Sequence, residues 1–220
     1  MNNKTAIVFG STGLIGNLLI EELTKSEYYS LIRSFVRQST GISEPKVEEI
    51  VTDFSDRASL SRLIAGDDIF ICLGTTIKKA GSVANMEKID RDLPLEIAGS
   101  AVSAGVKGIA VVSSIGASSN ASNYYLRIKG ELEDGILRLP FDRKAIVRPS
   151  MLLGERKEKR AGEIVGKVVM TAFKPVLIGK LIKYRAIHGR DVARAMIVLL
   201  NSPQEKIIFE SDELQKLAGQ

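Results

Sequence analysis

An apolar run, Thr5-Ala6-Ile7-Val8-Phe9, passes directly into Gly10-Ser11-Thr12-Gly13-Leu14-Ile15-Gly16. An amphipathic segment with Leu14, Leu18, Ile20 and Leu23 follows. A G-x-x-G-x-x-G spacing by itself fits any βα turn, but a buried-type strand before it and a helix after it make it a phosphate site. Each glycine has its own task. Gly10 turns the chain sharply off the strand, Gly13 lets backbone approach a pyrophosphate, and Gly16 lets the helix pack on the sheet. The backbone from Ser11 to Ile15 then offers free N–H groups at the positive end of the helix dipole. This opening predicts a dinucleotide site in a Rossmann-like α/β fold, a doubly wound parallel sheet in three layers.

The rest of the chain is compatible with that fold. At 220 residues with 45% apolar content it can bury a continuous core. No internal repeat or Pro/Ser linker divides it, so one domain over residues 1–220 is expected, with 151–220 partly forming a small substrate-side lobe. No apolar run is long enough to span a bilayer. Met1-Asn2-Asn3-Lys4 leads straight into the first strand, leaving no room for a signal peptide. Cys72 is the single cysteine, which excludes an internal disulfide and points to a cytoplasmic home. The single histidine, His188, excludes a His-rich metal site within one chain, and no metal is expected. The net charge of +5 resides partly in mixed stretches such as Glu155 to Arg160, and aromatics are 5% with no Trp. A nucleic-acid surface needs a denser basic stripe with stacking rings, so neither nucleic acid nor membrane is an expected partner.

Further strands are predicted at Leu31 to Arg37, Val47 to Thr52, Ile69 to Gly74, Gly108 to Val112, Ala145 to Ser150 and Lys206 to Glu210. Arg37 stands where an acidic residue would hold the ribose 2′-OH of NAD, about 20 residues past the glycines. A guanidinium there forks onto a 2′-phosphate, so NADP(H) is favoured over NAD(H). Asp53 and Phe54 sit where an adenine rests, although Asp53 serves equally as a turn residue; Ser55 or Asp56 caps the next helix. Leu73, Gly74 and Thr75 fall at the carboxyl end of the fourth strand, the side where open α/β sheets bind ligands. Ile77 to Ala84 is expected to be a mobile loop, and Asn85 to Ala104 a helix that kinks or restarts at Pro94. A helix carrying Ile164, Val165, Val168 and Val169 follows a charged loop, another starts near Asp191, and Ser211-Asp212 caps the last. The face from Leu126 to Leu137 would allow a homodimer.

Tyr125 and Lys129 are four residues apart on a predicted helix and share a face. Ser113 and Ser114 end the strand before it. Hydroxyl, phenol and ammonium beside a nicotinamide form a proton-transfer set. The serine holds a carbonyl, the tyrosine gives or takes a proton, and the lysine favours phenolate or holds the ribose. A free tyrosine titrates near pH ~10 and needs such help.

Taken in order, GSTGLIG, VVSSIGA, YLRIK and VRPSMLLGER resemble an atypical short-chain dehydrogenase/reductase. CLGTTIKKAGS and FDRKAIVRPSMLLGERKEKRAGE are similar, more narrowly, to the Tat-interacting-protein-like NAD(P)-binding oxidoreductases, a likeness covering nearly the whole chain. The resemblance implies NADP(H) in the cleft of a Rossmann core and the Ser-Tyr-Lys set at Ser113 or Ser114, Tyr125 and Lys129. Ser113, three residues before Gly116, fits the S-x-x-G pattern better. It further implies that Arg148, Pro149 and Ser150 lie against the nicotinamide end. The expected activity is hydride transfer to or from a small carbonyl or alcohol. A cofactor-sensing module and an epimerase with retained cofactor are the alternatives.

Overall fold

The computed structural model describes residues 3–154 and 177–219. The helix expected at Ile164 to Val169 and the charged loop before it lie outside these. Seven strands form one parallel sheet: β1 (Lys4–Phe9), β2 (Tyr29–Val36), β3 (Val47–Val51), β4 (Asp68–Ile71), β5 (Gly108–Val112), β6 (Arg143–Arg148) and β9 (Ile208–Glu210). Their order is β3-β2-β1-β4-β5-β6-β9, so the sheet grows outward in both directions from β1. The chain reverses direction between β1 and β4, and a crevice at the carboxyl ends of those strands is where this topology binds ligands. A two-stranded ribbon, β7 (Leu152–Leu153) with β8 (Ile187–His188), lies apart from the main sheet.

Both faces of the sheet are covered, which is why its strands are almost uniformly apolar. Alternate residues of β1 divide the core. Ala6 and Val8 face α1 (Leu14–Lys25) and α7 (Gly189–Asn201), with Leu19, Leu23, Val192 and Met196. Ile7 and Phe9 face α2 (Arg57–Leu63), α5 (Leu93–Ser103) and α6 (Tyr124–Arg138), with Leu60, Ile97, Leu132 and Ile136. Asp56 caps α2 by accepting the Ser59 N–H.

Two expectations are corrected and one is refined. The Ile77 to Ala84 loop contains a short helix, α3 (Ile77–Ala80), because the Thr76 side chain caps it and Gly81 closes it at φ +77°. The helical stretch from Asn85 restarts at Pro94 as expected, as α4 (Val83–Glu87), one π turn (Lys88–Asp92) and α5, with Pro94 in the first turn of α5. Pro94 supplies no N–H to the carbonyl four residues back, and the chain answers with a wider turn in which the Leu93 N–H reaches Lys88 O. The final helix, α8 (Ser211–Ala218), is capped by Glu210 rather than by Ser211 or Asp212. Glu210 and Glu213 exchange side-chain to backbone hydrogen bonds in a capping box.

Candidate active site

The glycine turn is built as its spacing predicts. Gly10 has φ +84°, and a β-carbon there would lie 2.7 Å from the Cys72 carbonyl on the neighbouring β4 segment. A β-carbon on Gly16 would come within 2.1 Å of Gly10 O, so only glycine lets α1 begin directly over the turn. Gly13 is the N-cap of α1, and no side chain caps this end. The first-turn amides of Leu14 and Ile15 are therefore available to an anion, with Ser11 beneath them donor-bonded from Ser34 Oγ at 2.8 Å. Thr12 is exposed beside the turn.

The residues predicted to meet an adenosine diverge. Arg37 stands exposed just past β2, and among the described residues no carboxylate pairs with it. Asp53 closes its own turn instead. Its carboxylate accepts the Ser55 N–H at 2.9 Å and hydroxyl at 2.7 Å, which hold its pKa below the ordinary value. Phe54 packs against Phe9, their centroids 5.8 Å apart, and Leu73 is half-buried against the same core.

The residues expected at the reacting end lie on α6 and at the tips of β4, β5 and β6. Tyr125 occupies the first turn of α6 and is 37% exposed, whereas Lys129, one turn on, is only 3% exposed. Asn123 starts that helix by accepting the Leu126 N–H. Lys129 Nζ donates to Val112 O at 3.4 Å and lies 3.1 Å from Asp90 Oδ1, in a fully buried ion pair. The other oxygen of Asp90 accepts the Thr75 N–H at 2.8 Å, so one carboxylate joins the β4 tip to α6. A β-carbon on Gly74 would lie 3.3 Å from Asp90 Oδ1 and 3.8 Å from Lys129 Nζ. The ammonium has three donors, and it keeps capacity for a further ligand.

The two strand-end serines are not equivalent. Ser113 is buried and donates its hydroxyl to Glu133. Glu133 also receives Arg148 Nε at 2.9 Å and is held by the other side of that guanidinium. Ser114, the next residue, has only a weak 3.4 Å bond to Ile115 O. Arg148 is thus turned toward α6, where Glu133 raises its pKa. Ser150 is bound at its N–H by Ser211 Oγ at 2.7 Å and at its hydroxyl by Arg185 O. Pro149 is buried and accepts the Ile115 N–H at 3.1 Å, so the β6 turn meets the β5 turn through backbone.

Asp90 and Glu133 are absent from the predicted site residues. Glu133 lies four residues beyond Lys129 and continues the Tyr125–Lys129 face, a signal present in the spacing. Asp90 sits four residues before Pro94, and only the π turn brings it inside.

The switch point of the topology at β1 and β4, an uncapped glycine turn and an Arg37 with no carboxylate partner among the described residues fit a dinucleotide at the carboxyl ends of the strands. Comparison with known proteins agrees at the level of class. A family model described as NAD(P)H-binding matches residues 10–203. The chain belongs to that family, within the atypical short-chain dehydrogenase/reductase branch. Among its relatives are "Protein FMP52, mitochondrial" of Eremothecium gossypii, 34% identical over 98% of this chain and 97% of that protein, and "Protein HTATIP2" of Rattus norvegicus, 35% identical over 74% and 69%. Solved structures share the fold at low identity. MoeE5 in complex with UDP-glucose and NAD has a TM-score of 0.69 at 15% identity, covering 99% of this chain and 81% of that one. The Bordetella bronchiseptica enzyme WbmH in complex with NAD+ has a TM-score of 0.70 at 14% identity, covering 98% and 79%.

One expectation falls here. The FMP52 relatives of Eremothecium gossypii, Candida albicans and Candida glabrata are all named mitochondrial, against the cytoplasmic home expected from Cys72. A lone cysteine excludes an internal disulfide and does not distinguish one reducing compartment from another.

Proposed function

We propose that the protein is an NADP(H)-dependent oxidoreductase acting on a small carbonyl or alcohol, with Tyr125 as general acid and base. The carrying observation is Lys129, buried at the strand tips on the face of α6 that also bears Tyr125, with donor capacity left over. When bound, the dinucleotide supplies or accepts the hydride. The turn from Gly10 to Ile15 binds its pyrophosphate, and Arg37 selects a 2′-phosphate by forked, charge-assisted hydrogen bonds. Lys129 orients the nicotinamide ribose. Ser114 donates to the substrate oxygen, because the hydroxyl of Ser113 is already engaged by Glu133. Tyr125 delivers its proton to that same oxygen, or withdraws it in the reverse direction. Arg148 and Ser150 hold the turn after β6 in place through Glu133, Ser211 and Arg185.

The test follows NADPH consumption against a panel of small aldehydes and ketones. Tyr125→Phe is expected to lose about 10²–10⁴-fold in rate while binding NADPH as the parent does. Ser114→Ala loses activity with normal stability, whereas Ser113→Ala loses stability. Full activity in Tyr125→Phe would overturn the reading and favour a role in holding rather than using the cofactor.

A further inference from the structure

The loop that begins at Arg37 is fastened to β3 by the carboxylate of Glu49. Ser39 Oγ donates to Glu49 Oε2 at 2.7 Å, and the Thr40 N–H lies 3.2 and 3.1 Å from the two carboxylate oxygens. The Thr40 hydroxyl donates to Oε1, and the Gly41 N–H braces the Ser39 hydroxyl at 3.2 Å. Burial opposes ionisation of Glu49, but the donors from Thr40 and Ser39 outweigh it and hold its pKa below the ordinary value. Two hydroxyls and an amide closing on a pair of anionic oxygens are the same donors that a phosphate takes. The register fixes where they close. Glu49 lies opposite Ser34 in the β2–β3 ladder, and residues opposite each other share a face of the sheet. Ser34 donates to Ser11 of the glycine turn at 2.8 Å, so Glu49 rises on the face that carries the turn. Its neighbour Glu48 points to the other face and accepts from Arg33 Nε at 3.1 Å.

We infer that the Glu49 carboxylate is an internal stand-in for the 2′-phosphate of NADP(H): it fills the Ser39 and Thr40 donors beside Arg37 until the cofactor displaces it, and so limits the preference for NADP(H) over NAD(H). The inference rests on the reading above that Arg37 meets a 2′-phosphate. A carboxylate that stays in place opposes the phosphate by like-charge repulsion, and one that withdraws gives up its hydrogen bonds. Both lower the affinity for NADP(H). Neither bears on NAD(H), whose ribose has a neutral hydroxyl at that position. Arg37, Ser39 and Thr40 are all exposed, so the exchange needs one side chain to swing and leaves the core untouched.

Calorimetry on the whole protein tests this with 2′-phospho-ADP-ribose and ADP-ribose, which differ only in the phosphate and lack the nicotinamide. Glu49→Gln is expected to bind 2′-phospho-ADP-ribose and NADPH about 3–10-fold more tightly than the parent, with ADP-ribose and NADH unchanged. Glu48→Gln removes the same charge from the other face and is expected to change none of the four. That control separates displacement at the loop from the net charge of the chain. A purely structural tie gives the opposite sign, because loosening the Arg37 loop weakens binding. Should Glu49→Gln fail to fold, Ser39→Ala/Thr40→Val carries the test. Without the two hydroxyls, affinity for 2′-phospho-ADP-ribose falls about 3–10-fold and that for ADP-ribose stays. Unchanged or weaker phosphate binding in folded Glu49→Gln, equal tightening in Glu48→Gln, or a Ser39→Ala/Thr40→Val variant that binds as the parent does overturns the inference and leaves the NADP(H) reading standing. A parent protein that binds 2′-phospho-ADP-ribose no better than ADP-ribose removes that reading and the inference together.

Discussion

The sheet carries a buried aspartate at each end, and the two are wired differently. At the amino end, Asp68 is fully buried and both of its oxygens are taken. Arg143 Nη2 reaches one at 2.8 Å; Tyr29 Oη at 2.8 Å and Lys4 Nζ at 3.1 Å reach the other. Asn201 closes the circuit by accepting from Lys4 and donating to Tyr29. At the carboxyl end, Asp90 has one satisfied oxygen and one that merely faces an ammonium. Both carboxylate oxygens of the first network are satisfied without a ligand, and its one loose end is Arg143 Nε, a buried donor with no partner. The second, open one has capacity in reserve, and it lies where the topology places a cofactor. Burying a charge is costly unless it is paired, so the difference that matters is at the carboxylates, one fully satisfied and the other with an oxygen left over.

The sharpest way to break this contrast is at the foot of the sheet. Asp68→Ala leaves Lys4 and Arg143 facing each other without their shared anion. The expected loss is on the order of 3 kcal/mol in denaturant unfolding, with NADPH affinity unchanged. An altered affinity would mean that the two ends are coupled.

Arg37 sharpens the open side, since among the described residues it too has no carboxylate partner. Arg37→Ala is expected to weaken NADPH binding by about 10–100-fold, measured by calorimetry, and to leave NADH unaffected. Equal effects on both dinucleotides would remove the 2′-phosphate from the account.

The smallest effect concerns a second closed network, between α1 and α7. Burial raises the pKa of Glu22, but Arg194, Arg190 and Lys25 outweigh it and leave the carboxyl below its ordinary 4.5. A depressed folded-state pKa stabilises the fold above the unfolded value and is lost as pH falls through it. Thermal stability should therefore drop as pH is lowered past about 4.5, and less steeply in Glu22→Gln. A variant with the parent's acid sensitivity would place the loss elsewhere.

The same contrast explains what could be read from sequence. The glycine turn, the parallel strands and the Tyr125–Lys129 face depend on local spacing, and all are where that spacing puts them. Glu133 follows the same helical period and was available to the same logic. Asp90 was not. Its placement depends on Pro94 forcing a π turn and on Thr75 arriving from another strand tip, neither of which leaves a period in the chain. The choice between Ser113 and Ser114 has the same character. A pattern with Gly116 favours Ser113, yet strand alternation directs its hydroxyl to Glu133, a partner twenty residues away.

The central claim is that a dinucleotide ends beside Tyr125, Ser114 and Lys129 rather than elsewhere in the crevice. A crystal structure grown with NADPH tests it directly. The account predicts the nicotinamide ring between Ser114 and Tyr125, the ribose on Lys129, and the 2′-phosphate on Arg37. A ring turned away from Tyr125, or resting on Ser113 with its bond to Glu133 broken, would contradict it.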